Sequence, residues 1–332
     1  MKNFNITIYM LLLMLVSTLV DAQKIQSYVI KARPFYVLEE GGPITVKELT
    51  NNGSTMNTFG KDFATTLYNT INWEERGLAK KGKAKVYNPW YTTKIYELTK
   101  DESAAKYVIS GNYVFSGQVT KSDALMKSKD YNQITPIPFF YYKHSVDATA
   151  IVDGVLTITS TSTGEVVKQF SLKNEKTKSD FKFVDYPSTP TIDKYTKALA
   201  KDVISRSGGM FSPVFVTKTY SFKSIKGNKS DKVYKKELKN KKKVFKSLAK
   251  TGSVNELGKA YQEIIANASK IKKPQNLYYN LGLCYELLGN YTKAKENYLK
   301  SADKDAIVEI DYLISMKDLF VKLGLNVVEN DF

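Results

Sequence analysis

Apolar residues at Met56, Phe59, Phe63, Leu67 and Ile71 recur every third or fourth position, which predicts one buried face of an amphipathic helix. Before it, Ser27-Tyr28-Val29-Ile30 and Phe35-Tyr36-Val37-Leu38 read as short strands parted at Pro34, and Ala84 to Tyr87 as another. The period then switches to two. In "AKYVISGNYVFSGQV", Tyr107, Ile109, Tyr113, Phe115 and Val119 share one parity with Gly111 and Gly117. Ser110, Asn112, Ser116 and Gln118 mostly take the other, as in a sheet with one face buried. "SVDATAIVDGVLTITS" repeats the pattern, with Val146, Ala148, Ala150, Val152, Leu156 and Ile158 on one face and Asp147, Thr149, Asp153, Thr157 and Thr159 on the other. A turn at Thr163-Gly164 sends the chain back through Val166, Phe170 and Leu172, so this is a hairpin. "IDKYTKALAKDVISRSGG" predicts a helix closed by Gly208 and Gly209, and "SPVFVTKTYSF" a last strand.

Past Lys223 the alternation stops and helix formers dominate through Leu323. The expected organisation is therefore α+β. A mixed or antiparallel sheet with packed helices spans 23–222, "KSIKGNKSD" supplies a linker over 223–230, and an all-α domain of helical hairpins covers 231–326.

Within "NLYYNLGLCYELLGNYTKAKENYLKSADKD", Tyr278, Leu281, Gly282 and Tyr285 are spaced as one helix, Gly289 and Tyr291 as a turn, and Ala294, Tyr298 and Ala302 as a second helix. This unit resembles a tetratricopeptide repeat, in which small residues stand where two helices cross closely. Ala260 and Ile264 lie one repeat length upstream of Ala294 and Tyr298, as in a degenerate preceding repeat closed by Pro274. Ile310, Leu313, Met316, Leu319 and Leu323 or Leu325 fit a capping helix. The resemblance implies protein interaction through a groove, with Tyr279, Leu283 and Glu286 facing it. It equally fits a short array that packs on the rest of its own chain.

The order strand, helix, strand, then "DESAAKYVISGNYVFSG", a long strand, an "STGEVV" turn and a helix is similar to the periplasmic α/β domain of the curli secretion-channel family. It is similar also to the lipoprotein activators of penicillin-binding proteins. Ala104 to Gly111 and Thr163-Gly164-Glu165 carry this likeness, which covers about residues 26–210. It implies a fold more than a function. Those families usually carry a lipidated N-terminal cysteine, and this chain has none there.

Between the two long strands, "TKSDALMKSKDYNQITPIPFFYYKHS" is expected to form a loop with an aromatic knot of Phe139, Phe140, Tyr141 and Tyr142 beside Pro136 and Pro138. Exposed, such a knot is a partner-binding hot spot; folded back, it covers the sheet. The segment lacks the sustained alternation of a membrane-spanning hairpin.

The ends and the charge decide where such a protein would work. Lys2, an apolar run from about Ile6 to Val20 and Val20-Asp21-Ala22 have the layout of a secretory signal peptide cut after Ala22. A retained anchor is the rival, although the run is shorter than the roughly 20 residues that cross a bilayer. The expected location is thus exported: periplasmic, outer-membrane-associated or extracellular. The chain has 332 residues and a net charge of +17. Between Lys223 and Lys250, twelve lysines face only Asp231 and Glu237, a net of +10. For an exported chain the anionic partner would be a membrane surface, an envelope polymer or an acidic protein, with no nucleic acid expected. Lys239, Lys241, Lys242 and Lys243 are the candidate docking residues, and the same lysines also fit a solvated helix face.

Catalytic chemistry finds little to use. His144 is the one histidine, so neither a multi-histidine metal site nor a His-bearing triad can be assembled around it. Cys284 is the one cysteine; it lies on an apolar repeat helix and cannot form an intramolecular disulfide. "GSTMNTFGKDF" lacks phosphate-loop spacing and has Asp62 where a Ser or Thr should follow the lysine. Asp147 and Asp153 would stand about 20 Å apart along a strand, too far for a glycosidase pair. The expectation is a non-enzymatic adaptor or assembly protein of the cell envelope, with no cofactor and no metal. The alternatives are an oligomeric component of a membrane-associated secretion complex and a hydrolase of envelope polymer with no residue to nominate.

Overall fold

A computed structural model describes residues 23–32, 38, 40–72, 84–127, 140–188, 192–329 and 331–332. The protein is α+β. In chain order the strands and helices begin with β1 (Lys24–Ala32), β2 (Ile44–Val46), β3 (Thr50–Asn51) and α1 (Phe59–Thr70). The sheet continues through β4 (Tyr107–Lys127), β5 (Phe140–Ser160), β6 (Val166–Ser171) and β7 (Asn174–Lys182), followed by α2 (Ile192–Arg206) and β8 (Val214–Ser221). Helices α3 (Lys232–Thr251), α4 (Val254–Gln262), α5 (Pro274–Leu288), α6 (Tyr291–Ser301) and α7 (Lys304–Lys322) complete the chain. The signal-peptide segment, Phe139 and most of the Phe35–Leu38 strand lie outside the described residues.

The chain divides into two compact units. One draws its described residues from Pro34–Arg76 and Lys94–Ser212. Its sheet has the order β2-β4-β5-β6, with β3 also on β4 and β7 also on β5. β2 and β3 run parallel to β4; the remaining pairs are antiparallel. The core lies where the alternation is strongest. Val146, Ala148, Ala150, Val152, Leu156 and Ile158 of β5 are all fully buried, as are Phe59, Phe63 and Leu67 of α1. Phe59 meets the rings of Tyr113 and Phe115 at 4.7 and 5.0 Å. Each Val, Leu, Ile or Phe side chain so withdrawn from water contributes about 1.5–3 kcal/mol.

β4 and β5 extend well past this core, pairing without a break from Tyr107↔Ser160 to Lys127↔Phe140. Burial on β4 ends after Phe115, and the strand is exposed from Ser116 to Lys127. Strand β7, "NEKTKSDFK", was not anticipated. It has no apolar alternation, and backbone pairing with His144–Val152 of β5 defines it.

The second unit draws its described residues from Met1–Arg33, Gly77–Thr93 and Pro213–Phe332. Here β1 pairs antiparallel with β8, from Lys24↔Ser221 to Ala32↔Val214. The expected boundary near Phe222 therefore needs correcting: β1, β8 and residues 84–93 group with the helices. β1 finds its partner in a strand distant in sequence, β8, rather than in the larger sheet. The Ala84–Tyr87 strand reduces to one bridge, Lys85 to Ser27. Residues 226–228 are not a free linker, since Lys272 N–H donates to the Lys226 carbonyl at 2.7 Å and Asn228 N–H to that of Lys270 at 2.8 Å.

The helices start and stop where their caps dictate. Asp231, Asn290 and Asp303 accept from the N–H groups of Tyr234, Lys293 and Ala306, at 2.8, 3.1 and 3.1 Å. Gly289 ends α5 in the left-handed region, with φ +83°. Gly282 of α5 faces Tyr298 of α6 so closely that an added Cβ would lie 2.5 Å from the ring. Its lack of bulk is what lets the two helices cross.

Candidate interaction surfaces

The residues expected to line an open groove are largely covered. Leu283 and Glu286 are 3% and 4% exposed. The occupant comes from the same unit: Lys218 of β8 places Nζ 3.1 Å from Glu286 Oε1 and 2.6 Å from Glu309 Oε1. Tyr298 donates its hydroxyl to Glu286 Oε2 at 2.6 Å. Tyr279 packs on Tyr298, with Lys223 Nζ 3.8 Å from its ring centroid. Burial pushes the Glu286 carboxyl above the usual carboxylate range even with Lys218 beside it. Burial also opposes charge on Lys218, but Glu286 and Glu309 outweigh it and hold the amine above its ordinary value. The Tyr279 hydroxyl is pushed up to about 12, first by burial and then by the carboxylates of Asp303, Glu286 and Glu309.

A second polar knot adjoins the turn between α5 and α6. The hydroxyls of Tyr91 and Tyr291 lie 2.8 Å apart, and Asn88 Nδ2 donates to Tyr291 at 3.0 Å. Sequence reasoning missed Asn88, Tyr91 and Lys218. The available signal was Glu286 itself, the only acid on α5, because a buried carboxylate needs a cation or a donor. Cys284 is buried and its thiol is pushed far up by that burial. Among the described residues, no three His, Cys, Asp or Glu side chains come together to hold a metal ion.

The aromatic residues are not in a loop. Phe140, Tyr141 and Tyr142 belong to β5, and Phe140 and Tyr142 are 61% and 56% exposed rather than folded over the core. Leu125 stands exposed on the face of Phe140 and Tyr142, and Met126, Phe181 and Phe183 stand exposed on the opposite one, which Tyr141 shares. These rings are held by neighbours. Tyr141 meets Phe183 at 5.1 Å, Phe181 meets Phe183 at 5.4 Å, and Lys143 Nζ lies 4.3 Å over the Phe181 ring. On the alternate parity, Asp123 Oδ1 bonds His144 Nδ1 at 2.7 Å and accepts from the Tyr186 hydroxyl at 2.6 Å. Those two hydrogen bonds, Tyr186 first, hold the Asp123 carboxyl below its ordinary range.

Helix α3 sorts its lysines. At about 100° per residue, Lys232, Lys235, Lys239, Lys242, Lys246 and Lys250 fall on one flank, and Lys236 and Lys243 beside them. Lys241 points elsewhere, to Glu263 at 3.0 Å, which removes it from the docking set. Lys239 and Lys243 are exposed, and Lys242 is half-buried. Burial, and then the like charge of Lys226, hold the Lys242 amine below its ordinary value. Tyr234, Leu238, Phe245 and Ala249 form the buried side of the helix.

No family model and no curated protein matches the chain. Among solved structures, it is similar to a neuraminyllactose-binding hemagglutinin homolog from Helicobacter pylori, at 12% identity and TM-score 0.27, over 53% of this chain and 83% of that one. It is also similar to PelC, solved as a dodecamer from Paraburkholderia phytofirmans, at 15% identity and TM-score 0.20, over 54% and 96%. At such scores neither likeness bears on the function of this chain. No helix among the described residues is long and apolar enough to cross a membrane.

Proposed function

We propose that this is an exported, non-enzymatic adaptor or assembly protein of the cell envelope, acting through contacts with another protein. The observation that carries the reading is the exposed apolar and aromatic surface on one face of the distal parts of β4 and β5. Leu125, Phe140 and Tyr142 are large, solvent-facing, on one face, and fixed on paired strands rather than on a loose loop. Rings ordered in advance lose little freedom on binding, which is what an interface hot spot requires. The tetratricopeptide-like helices enter this reading as a scaffold, since Lys218 fills the face that would otherwise receive a peptide.

The test is photocrosslinking in the native cell with a reactive residue at Phe140 or at Tyr142. Capture of the same envelope protein from both positions is expected, with loss on Leu125→Ser, which removes their neighbour on the same face. No capture above that from a control position at Lys300 would reject the reading.

An oligomeric component of a membrane-associated complex is the second reading, and a specific feature favours it. Among the described residues, β4 beyond Tyr113 pairs only with β5, and the outer edge of β7 pairs with no strand. Free edges of this kind accept strands from another copy. Light scattering after size-exclusion chromatography decides: a strict monomer, in buffer and in detergent, removes this second reading.

A further inference from the structure

We propose that helix α3 is a docking surface for an anionic lipid bilayer, separate from the protein-binding sheet. The lysine flank runs about 27 Å from Lys232 to Lys250 at 1.5 Å per residue. It is enlarged by a second segment. The backbone bonds that join 226–228 to 270–272 bring Lys226, Lys270 and Lys272 to the same end of the helix, and Lys270 Nζ lies 5.6 Å over the ring of Tyr234. Three acids of the described residues adjoin the flank. Asp231 caps the helix, Glu237 lies on it, and Glu263 is engaged by Lys241. Burial, and after it the like charge of Lys226, disfavour the charge on Lys242, and an anionic surface would offset the second.

Two features favour a bilayer over a soluble polyanion. Val233 and Val244, 82% and 51% exposed, stand eleven residues apart on the other flank of the outward side. A bilayer offers such side chains an apolar boundary below the headgroups, and a dissolved polymer does not. Every cation of the patch is a lysine, with no arginine anywhere after Arg206. Lysines act as point charges on flexible stems and suit a diffuse array of headgroups, whereas a fixed phosphate clamp favours the arginine fork.

Each lysine held near an anionic leaflet strengthens partition by about fivefold. The full chain should therefore float with vesicles of phosphatidylcholine containing about a third phosphatidylglycerol, and not with phosphatidylcholine alone. Raising salt from about 0.1 to about 0.5 M should release it. Replacing Lys235, Lys236, Lys239 and Lys243 with Gln should weaken partition by at least about a hundredfold. V233S with V244S should weaken it severalfold and leave the salt dependence unchanged. All six positions are exposed, so the fold should survive, and circular dichroism checks this. Equal binding to both vesicle types would overturn the proposal, and so would a lysine variant that binds as wild type. Binding to soluble polyphosphate that equals vesicle binding and ignores the valine changes would overturn it in favour of a polymer.

Discussion

Lys218 on β8 reaches Glu286 on α5 across 68 residues of sequence, with Nζ 3.1 Å from Oε1. The Glu286 side chain is only 2% exposed and that of Lys218 is 25% exposed. The pair fastens the β1–β8 ribbon to the helical hairpin within one unit. Its two ends are not equal. Lys218 has a second carboxylate in Glu309, whereas Lys218 is the one cation paired with Glu286 among the described residues, beside the hydroxyls of Tyr298 and Tyr220.

Lys218→Met should therefore cost about 3–5 kcal/mol, because it strands a buried carboxylate without its cation. Urea unfolding near neutral pH measures the loss. It should shrink as the pH falls, because a stranded carboxyl can take up a proton. A loss below about 1 kcal/mol would mean that the pair behaves as an exposed one.

Glu286→Gln should behave differently. Gln keeps an acceptor for Tyr298, and Lys218 keeps Glu309, so near neutral pH the change should be close to neutral or mildly stabilising. The folded-state pKa of Glu286 is raised by burial. Its proton-linked stability is thus present below the unfolded value and lost as the pH rises through the folded one. Wild type should gain on the variant as the pH falls. Parallel stability curves for the two proteins would refute this assignment.

What could be read from the sequence follows from what sets each element. Where burial is one-sided, side-chain period suffices: the six apolar residues of β5 from Val146 to Ile158 and the Phe59, Phe63 and Leu67 face of α1 are all in the core. Gly282 was legible because a crossing of helices needs a missing side chain. Strand β7 was not, since Asn174–Lys182 is exposed at nearly every position and exists by backbone pairing alone. The division into units was hidden for another reason. It depends on Lys24 finding Ser221, a pairing between distant segments that no local pattern records. Of the candidate contact residues, Phe140 and Tyr142 were named from composition, but their exposure came from strand register. Glu286 was named from repeat spacing, and its covering by Lys218 was not foreseeable from that spacing.

Gly282→Ala should destabilise the helical hairpin by about 1–3 kcal/mol. The new methyl would sit 2.5 Å from the Tyr298 ring, and that ring is pinned by its bond to Glu286. Ala has the higher helix propensity, about 1 kcal/mol in its favour, so a net loss can come only from the clash. Thermal unfolding of G282A, compared with G282A in a Tyr298→Leu background, separates the terms. The alanine should be tolerated better once the ring is gone.

Asp303 carries a different pH signature. Its carboxylate pairs with Lys223 at 2.5 Å and accepts from Ala306 N–H at the start of α7. The Lys223 hydrogen bond, the largest influence, holds its pKa below the ordinary aspartate value. A depressed folded-state pKa contributes stability above the unfolded value of about 3.9, and that stability is lost as the pH falls through the folded one. Asp303→Asn keeps a capping side chain and removes only the charge. Near pH 7 it should cost about 0.5–1 kcal/mol, the worth of a partly exposed pair, and near pH 2 almost nothing. A loss that stays constant across that range would assign the role of Asp303 to helix capping geometry and not to its charge.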